Sequence, residues 1–209
     1  METKTLTQFK SKLQGGAARP NLFEVSVPSF PSAAAEFWNN GDEGEQGIFT
    51  FLCKAAAIPA STVANVDIPF RGRNLKVAGD RTIDDWTVTI INDEDFRLRT
   101  AFEGWANKIS KLDDATGVTN PTSYMTDAFV KQLGRGNSRF ATTNEGGESV
   151  VLRTYKFYDI WPTSISEIGL SYDSANAIEE FDVTFKVQWF AIGESDQTTG
   201  TQAGETLIR

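Results

Sequence analysis

Residues Glu179–Ile192 alternate apolar and polar side chains almost without interruption. Phe181, Val183, Phe185, Val187 and Trp189 fall on one side; Asp182, Thr184, Lys186 and Gln188 fall on the other. A period of two matches a pleated strand and no helix. Read as one strand at ~3.4 Å per residue, the run spans ~40 Å.

Other segments carry the same period. Asp84–Ile91 places Trp86, Val88 and Ile90 on one face, and these are assigned to the core. Val63–Phe70 and Arg73–Ala78 flank Arg71-Gly72 and predict a hairpin. Its apolar face holds Ala64, Val66, Ile68, Leu75 and Val77, and its polar face Asn65, Asp67, Asn74 and Lys76. Leu22–Val27 reads as a first strand. Ile48–Ala55 reads as another, with Phe49, Phe51 and Cys53 on one face. Tyr124–Gly134 and Ser149–Trp161 read as two long strands joined by the tip Arg135–Glu148, the second ended by Trp161-Pro162, and Ser164–Tyr172 as a further strand.

One long helix is predicted from Phe96, Leu98, Phe102, Trp105, Ile109 and Leu112. Asn92 or Asp93 serves as N-cap, with Glu94 and Asp95 in the first turn and Lys108 and Lys111 near the end, as the helix dipole favours. Leu6, Phe9 and Leu13 predict a short amphipathic helix, stopped by Gly15-Gly16. Pro28–Gly47 reads as a surface loop, whose Phe37 and Trp38 are either tucked onto the core or held for a neighbour. Many strands, one helix and no βαβ alternation make the chain mainly β: an antiparallel sandwich or partial barrel with one flanking α-helix. Residues 1–192 are taken as one domain with an N-terminal arm (1–20), and 193–209 as a C-terminal arm.

The 209 residues include no histidine and a single cysteine, Cys53. That removes the commonest general base, the commonest metal ligand and any Ser-His or Cys-His nucleophile pair. Cys53, among apolar neighbours, reads as a buried inert thiol. The adjacent acids Asp84 and Asp85 point to opposite faces of a strand, and Asp93, Glu94 and Asp95 suit capping better than acid–base work. Asp113–Ser123 lacks the closing bidentate Glu of a calcium loop. No catalytic, metal or cofactor set is assigned, and the chain is read as a non-enzyme. A net charge of −8 argues against gripping nucleic acid. No apolar run approaches the ~20 residues that span a bilayer, and the N-terminus is too polar for a secretory signal, so cytoplasmic production is expected.

Several blocks together resemble one family. They are ARPNLFEV (Ala18–Val25), CKAAAIPA (Cys53–Ala60), VAGDRTIDDWTVTIINDE (Val77–Glu94), the helix with Phe102 and Trp105, IWPTSISEIGLSYDS (Ile160–Ser174) and IEEFDVTFKVQW (Ile178–Trp189). Collinear over most of residues 17 to 190, they are similar to the tail tube proteins of contractile-tailed bacteriophages. The resemblance implies two packed antiparallel sheets with a flanking helix, and hexameric rings whose inner sheets close into one barrel. It implies rings stacked into a virion tube, assembled in the host cytoplasm. The implied partners are further copies of the chain, a contractile sheath, baseplate or initiator and tail terminator proteins, and DNA that passes through without specific binding.

A ring-wide barrel removes the open edges that long strands leave. Asn65, Asp67, Phe70, Arg71, Arg73, Asn74 and Lys76 of the hairpin are the candidate inter-subunit or lumen residues. Basic Arg71, Arg73, Lys76, Arg97, Arg99, Lys131, Arg135 and Arg139 either form internal salt bridges or meet acidic loops of a neighbouring copy, Asp42–Glu45 and Glu145–Glu148 being candidates. Loop Pro28–Gly47, tip 135–148 and the tail after Trp189 depart from the family pattern. Two alternatives stand beside this reading: the tube of a protein-injection machine, and a monomeric β-sandwich binding carbohydrate through Phe37 and Trp38.

Overall fold

The computed structural model describes residues 5–13, 17–39, 44–134, 151–173 and 175–193. Its strands are β1 (Phe23–Ser26), β2 (Cys53–Ala56), β3 (Ser61–Phe70), β4 (Arg73–Ile83), β5 (Trp86–Ile91), β6 (Thr126–Leu133), β7 (Val151–Ile165), β8 (Glu180–Lys186) and β9 (Trp189–Gly193). Its helices are α1 (Leu6–Lys12), α2 (Glu45–Leu52), α3 (Arg97–Ile109) and α4 (Pro121–Tyr124). The mainly β class and the two antiparallel sheets expected from the sequence are present. The larger sheet runs β1-β6-β7-β8-β5-β2, with β9 also on β7; the smaller is β3-β4.

The chain divides into two compact units. The larger comprises Ser26–Ala128 and Phe157–Phe190. Its centre is the β5–β8 ladder, where Trp86 faces Phe185, Val88 faces Val183 and Ile90 faces Phe181. Two alternating sequences in this register put all their apolar side chains on one face, and all six are buried. On the other face Thr87 meets Thr184 and Thr89 donates to Asp182. Helix α3 covers the apolar face with Leu98, Ala101, Phe102 and Trp105. Phe185 touches Phe102 and Trp105 at ring-centroid distances of 5.9 and 6.0 Å. Trp105 Nε1 donates to the Tyr124 carbonyl at 2.9 Å, so this buried ring keeps its polar edge satisfied.

The smaller unit comprises residues 1–25, 129–156 and 191–209. In it Lys131 pairs with Glu24 at 2.7 Å, and Gln132 donates to the carbonyls of Arg19 and Leu22. Helix α1 forms as expected and is closed by a Thr5/Gln8 capping box. Its Leu6, Phe9 and Leu13 are exposed.

The structure corrects several expectations. Residues 45–52 form helix α2, not a strand; only Cys53–Ala56 is extended. Phe49 and Cys53 are both buried, and a spacing of four satisfies a helix turn as well as a strand face. Phe51 decides between the two: a strand would bury it with them, yet it is 83% exposed. Strand β7 does not end at Trp161-Pro162 but continues to Ile165, because Pro162 sits beside an irregularity in the β7–β8 register that spares its missing N–H. No strand covers Ser166–Tyr172. Helix α3 begins at Arg97, so Glu94 and Asp95 precede it; Phe96, at φ 54°, is the cap residue and Asp93 Oδ1 accepts from Arg97 N at 3.0 Å.

The run Glu179–Ile192 is two strands, broken at Val187-Gln188. There Gln188 N donates to the Tyr158 carbonyl and the Trp189 ring stacks on Tyr158, centroids 3.8 Å apart. Pro28–Gly47 is less of a surface loop than expected. Phe30, Ala34 and Trp38 are buried, Trp38 stacking on Phe30 at 4.1 Å. Phe37 lies on α3, where a Cβ at Gly104 would come within 2.7 Å of its ring. Both aromatics are therefore covered within the chain, which removes the support for a carbohydrate-binding sandwich.

Candidate assembly surface

The hairpin places its candidate residues by backbone chemistry alone. Arg71 (φ 46°) and Gly72 (φ 78°) both occupy the left-handed region, the turn geometry that matches the twist of two flanking strands. The register pairs Phe70 with Arg73, Ile68 with Leu75 and Val66 with Val77 on one face. The other face pairs Pro69 with Asn74, Asp67 with Lys76 and Asn65 with Ala78. An extra residue in β4, near Gly79, bends the ladder before Val63 pairs with Arg81.

The hairpin continues an existing ladder. β2 pairs β5, and the Asp84 N–H donates to the Ala60 carbonyl at 3.0 Å where β3 begins and β4 ends. β2–β3 and β4–β5 are thus two legs of one long hairpin whose base belongs to the large sheet and whose outer part extends past it. At ~3.3 Å per residue the ten residues of β3 make an arm of ~33 Å.

Every residue of β3 is exposed, as is all of β4 except the half-covered Gly79 and Ile83. An apolar stripe of Val66, Ile68, Phe70, Leu75 and Val77 therefore lies open on an arm with polar groups opposite. All seven candidate residues sit on it: Asn65, Asp67, Asn74 and Lys76 on one face, Phe70 and Arg73 on the other, and Arg71 at the turn with its guanidinium 5.4 Å from the Phe70 ring centre. Asn65 donates to Asp67 at 3.0 Å. Among the described residues Arg73 and Lys76 have no ion-pair partner. Between Ser61 and Ile83 four cations oppose two carboxylates, giving +2 within a chain of −8, so the remainder carries −10.

The other predicted cations behave differently. Arg97 pairs with Glu45 at 2.9 Å, Arg99 with Glu103, and Lys131 with Glu24; these are internal ion pairs. Burial alone would push the Glu45 carboxyl up, but donation from the Asn39 and Glu45 amides and from Arg97 outweighs it and holds the group below its usual range. Burial pushes the Cys53 thiol up to about 12, which fits the inert role expected of it. Arg135, Arg139, Asp42, Glu43 and Glu145–Glu148 lie outside the described residues. Among the described residues no cluster of three or more metal-ligating side chains occurs, and no helix is long and apolar enough to cross a membrane.

Sequence reasoning missed a second exposed set. Leu170, Tyr172 and Ile178 stand open in the connection from β7 to β8. Reading 164–172 as a strand hid Leu170 and Tyr172; the signal available was the company of Gly169, Ser171 and Asp173, which favours a turn.

Comparison with known proteins agrees with this architecture. The phage tail tube protein family matches residues 18–192. The tail tube protein gp19 of Enterobacteria phage T4 is 33% identical over 176 residues, 84% of this chain and 92% of that protein. Among solved structures, the tube terminating cap of the anti-feeding prophage aligns with a TM-score of 0.55 at 16% identity, covering 86% of this chain and 92% of that one. A chain of the extended sheath–tube complex of the PVC extracellular contractile injection system aligns at 0.52 and 15%, covering 92% and 100%. At such identities these two likenesses speak for the fold alone. With the family matched across nearly the whole described chain, and a curated relative at one-third identity, this protein belongs to the phage tail tube protein family.

Proposed function

We propose that the chain is the non-enzymatic structural subunit of a contractile tail tube. Subunits join into hexameric rings, the rings stack, and the hollow tube conducts DNA during ejection. Residues 1–192 act as the tube-forming domain, with 1–20 and 193–209 as arms. The protein resides in the virion after assembly in the host cytoplasm, its partners being sheath, baseplate or initiator, and tail terminator.

The observation that carries this reading is the arm: some 33 Å of two-stranded hairpin with an apolar stripe and no cover of its own. An isolated two-stranded hairpin is marginal in water, so such an arm calls for a partner surface. Asn65, Asp67, Asn74 and Lys76 then face water in the lumen or at its rim, while the stripe, with Phe70 and Arg73, meets a neighbour. Net negative charge on the rest of the subunit keeps DNA from adhering to the wall. DNA is preferred as cargo over protein because the one-third-identical relative is a phage tail protein.

Electron microscopy of the purified protein, with initiator or baseplate supplied, tests the proposal. Rings or tubes are expected. A species that stays monomeric at high concentration under those conditions would overturn it.

A further inference from the structure

The arm and the missed apolar set lie at opposite ends of one ladder. β5 and β8 are antiparallel, with Trp86 opposite Phe185 and Ile91 opposite Glu180. β4 feeds β5 through Asp84-Asp85, so the arm leaves the Phe185 end. The segment after Ile91 and the connection after Ile165 both lie at the Glu180 end. There Asn92 N donates to the Glu179 carbonyl at 2.9 Å and Ser166 N to the Asp182 carbonyl at 2.8 Å.

This far end is the chemical complement of the arm. Leu170 is 83% exposed, and Tyr172 is fully open. Glu94, Asp95, Glu167 and Asp173 are exposed and, among the described residues, have no ion pair. The cations at this end are already engaged: Lys54 by Glu180, Arg97 by Glu45 and Arg99 by Glu103. One end of the unit thus offers apolar side chains among unpaired cations, the other apolar side chains among unpaired carboxylates.

We infer that the Glu180 end of one subunit is the receptor for the arm of the next copy. This rests on the tube-subunit reading and names the partner of its arm. Phe70 and Leu75 settle against Leu170 and Tyr172, and Arg71 and Arg73 meet Glu94, Asp95 and Asp173. The occupant is a second copy of this chain because both halves of the match are on it. Two different surfaces at opposite ends make a head-to-tail contact, which propagates into a ring or a stack and does not close as a twofold dimer. The charges set register and rate; the apolar side chains supply most of the affinity.

The test joins the two surfaces covalently. Leu75→Cys and Tyr172→Cys are introduced together; Cys53, buried with its thiol pushed up to about 12, stays silent. Oxidation under assembly conditions is expected to give a reducible ladder of dimers, trimers and larger species on a denaturing gel, with nothing above dimer from either single variant. In parallel, R71E/R73E is expected to raise the concentration needed for assembly at least about tenfold, and adding E94K/D173K to restore it, with melting unchanged. Rings or tubes that yield no ladder, or E94K/D173K alone assembling like the wild type, would overturn the contact while leaving the tube reading intact. A wild-type chain that never assembles overturns both.

Discussion

Replacing Ile68 and Leu75 together by serine separates what the arm does for assembly from what it does for folding. The two residues are cross-strand partners in the apolar stripe, 47% and 60% exposed. Full burial of such a side chain is worth about 1.5–3 kcal/mol, so roughly half of that, for each, is still to be gained on docking. Removing both forfeits about 1.5–3 kcal/mol per contact, a weakening of roughly 10- to 150-fold at 1.4 kcal/mol per decade. Global stability resides elsewhere, in the buried rings around Phe185, and falls by about 1 kcal/mol or less. Sedimentation velocity across a concentration series reads the first effect, and urea unfolding followed by tryptophan fluorescence reads the second. Assembly at the wild-type concentration would refute the assignment of the stripe to an interface. A loss of 3 kcal/mol or more in the unfolding assay would show that the stripe belongs to the core.

Phe49→Ala is expected to cost about 3–5 kcal/mol, since its ring meets Trp38 and Phe102 at 6.0 and 5.7 Å, whereas Phe51→Ala should stay within about 0.5 kcal/mol; equal costs in denaturant titrations would return residues 45–52 to a strand. Glu45 has its folded pKa below the ordinary 4.5, so its contribution is complete above that value and is lost as pH falls through the folded one. Melting temperatures of Glu45→Gln against wild type should therefore differ at neutral pH and converge only as pH falls below the folded value; a constant gap would refute this. Gly72→Val puts a branched side chain at φ 78°, straining the turn by about 1–2 kcal/mol; faster amide exchange confined to β3 and β4 is expected, and unchanged exchange would contradict the turn geometry.

Periodicity revealed burial more faithfully than it revealed backbone state. Trp86, Val88, Ile90, Phe181, Val183 and Phe185 were legible because on a two-sided ladder burial and period coincide. Phe49 and Cys53 misled because a spacing of four fits both helix and strand, and the deciding residue, Phe51, is apolar yet exposed. At the break by Gln188 the alternation fails at one residue: Val187 and Ala191 are buried, but Trp189, expected on the same face, is 39% exposed and stacks on Tyr158. Pro162 read as a terminator because sequence carries no register, and the register is what excuses it. The hairpin's turn, pairing and two faces were legible from local chemistry, but its second strand, read as ending at Ala78, runs on to Ile83 past a bulge near Gly79 that no local pattern marks. The surface proposed to receive it was not, because Leu170 and Tyr172 are brought to the acidic end by pairings between β7, β8 and β5 that lie far apart in sequence.

An arm whose two strands rest mainly on each other gains most of its free energy only when it docks. A collision between two free subunits secures one such contact and must also meet the entropy of association. In the proposed tube, a subunit arriving at a preformed ring would secure several at once. Growth is therefore strongly favoured over initiation, as in any nucleated polymer. In the proposed tube, the bare hairpin, costly as it is to leave uncovered, would let a concentrated pool of subunits wait and polymerise where a template provides the first ring.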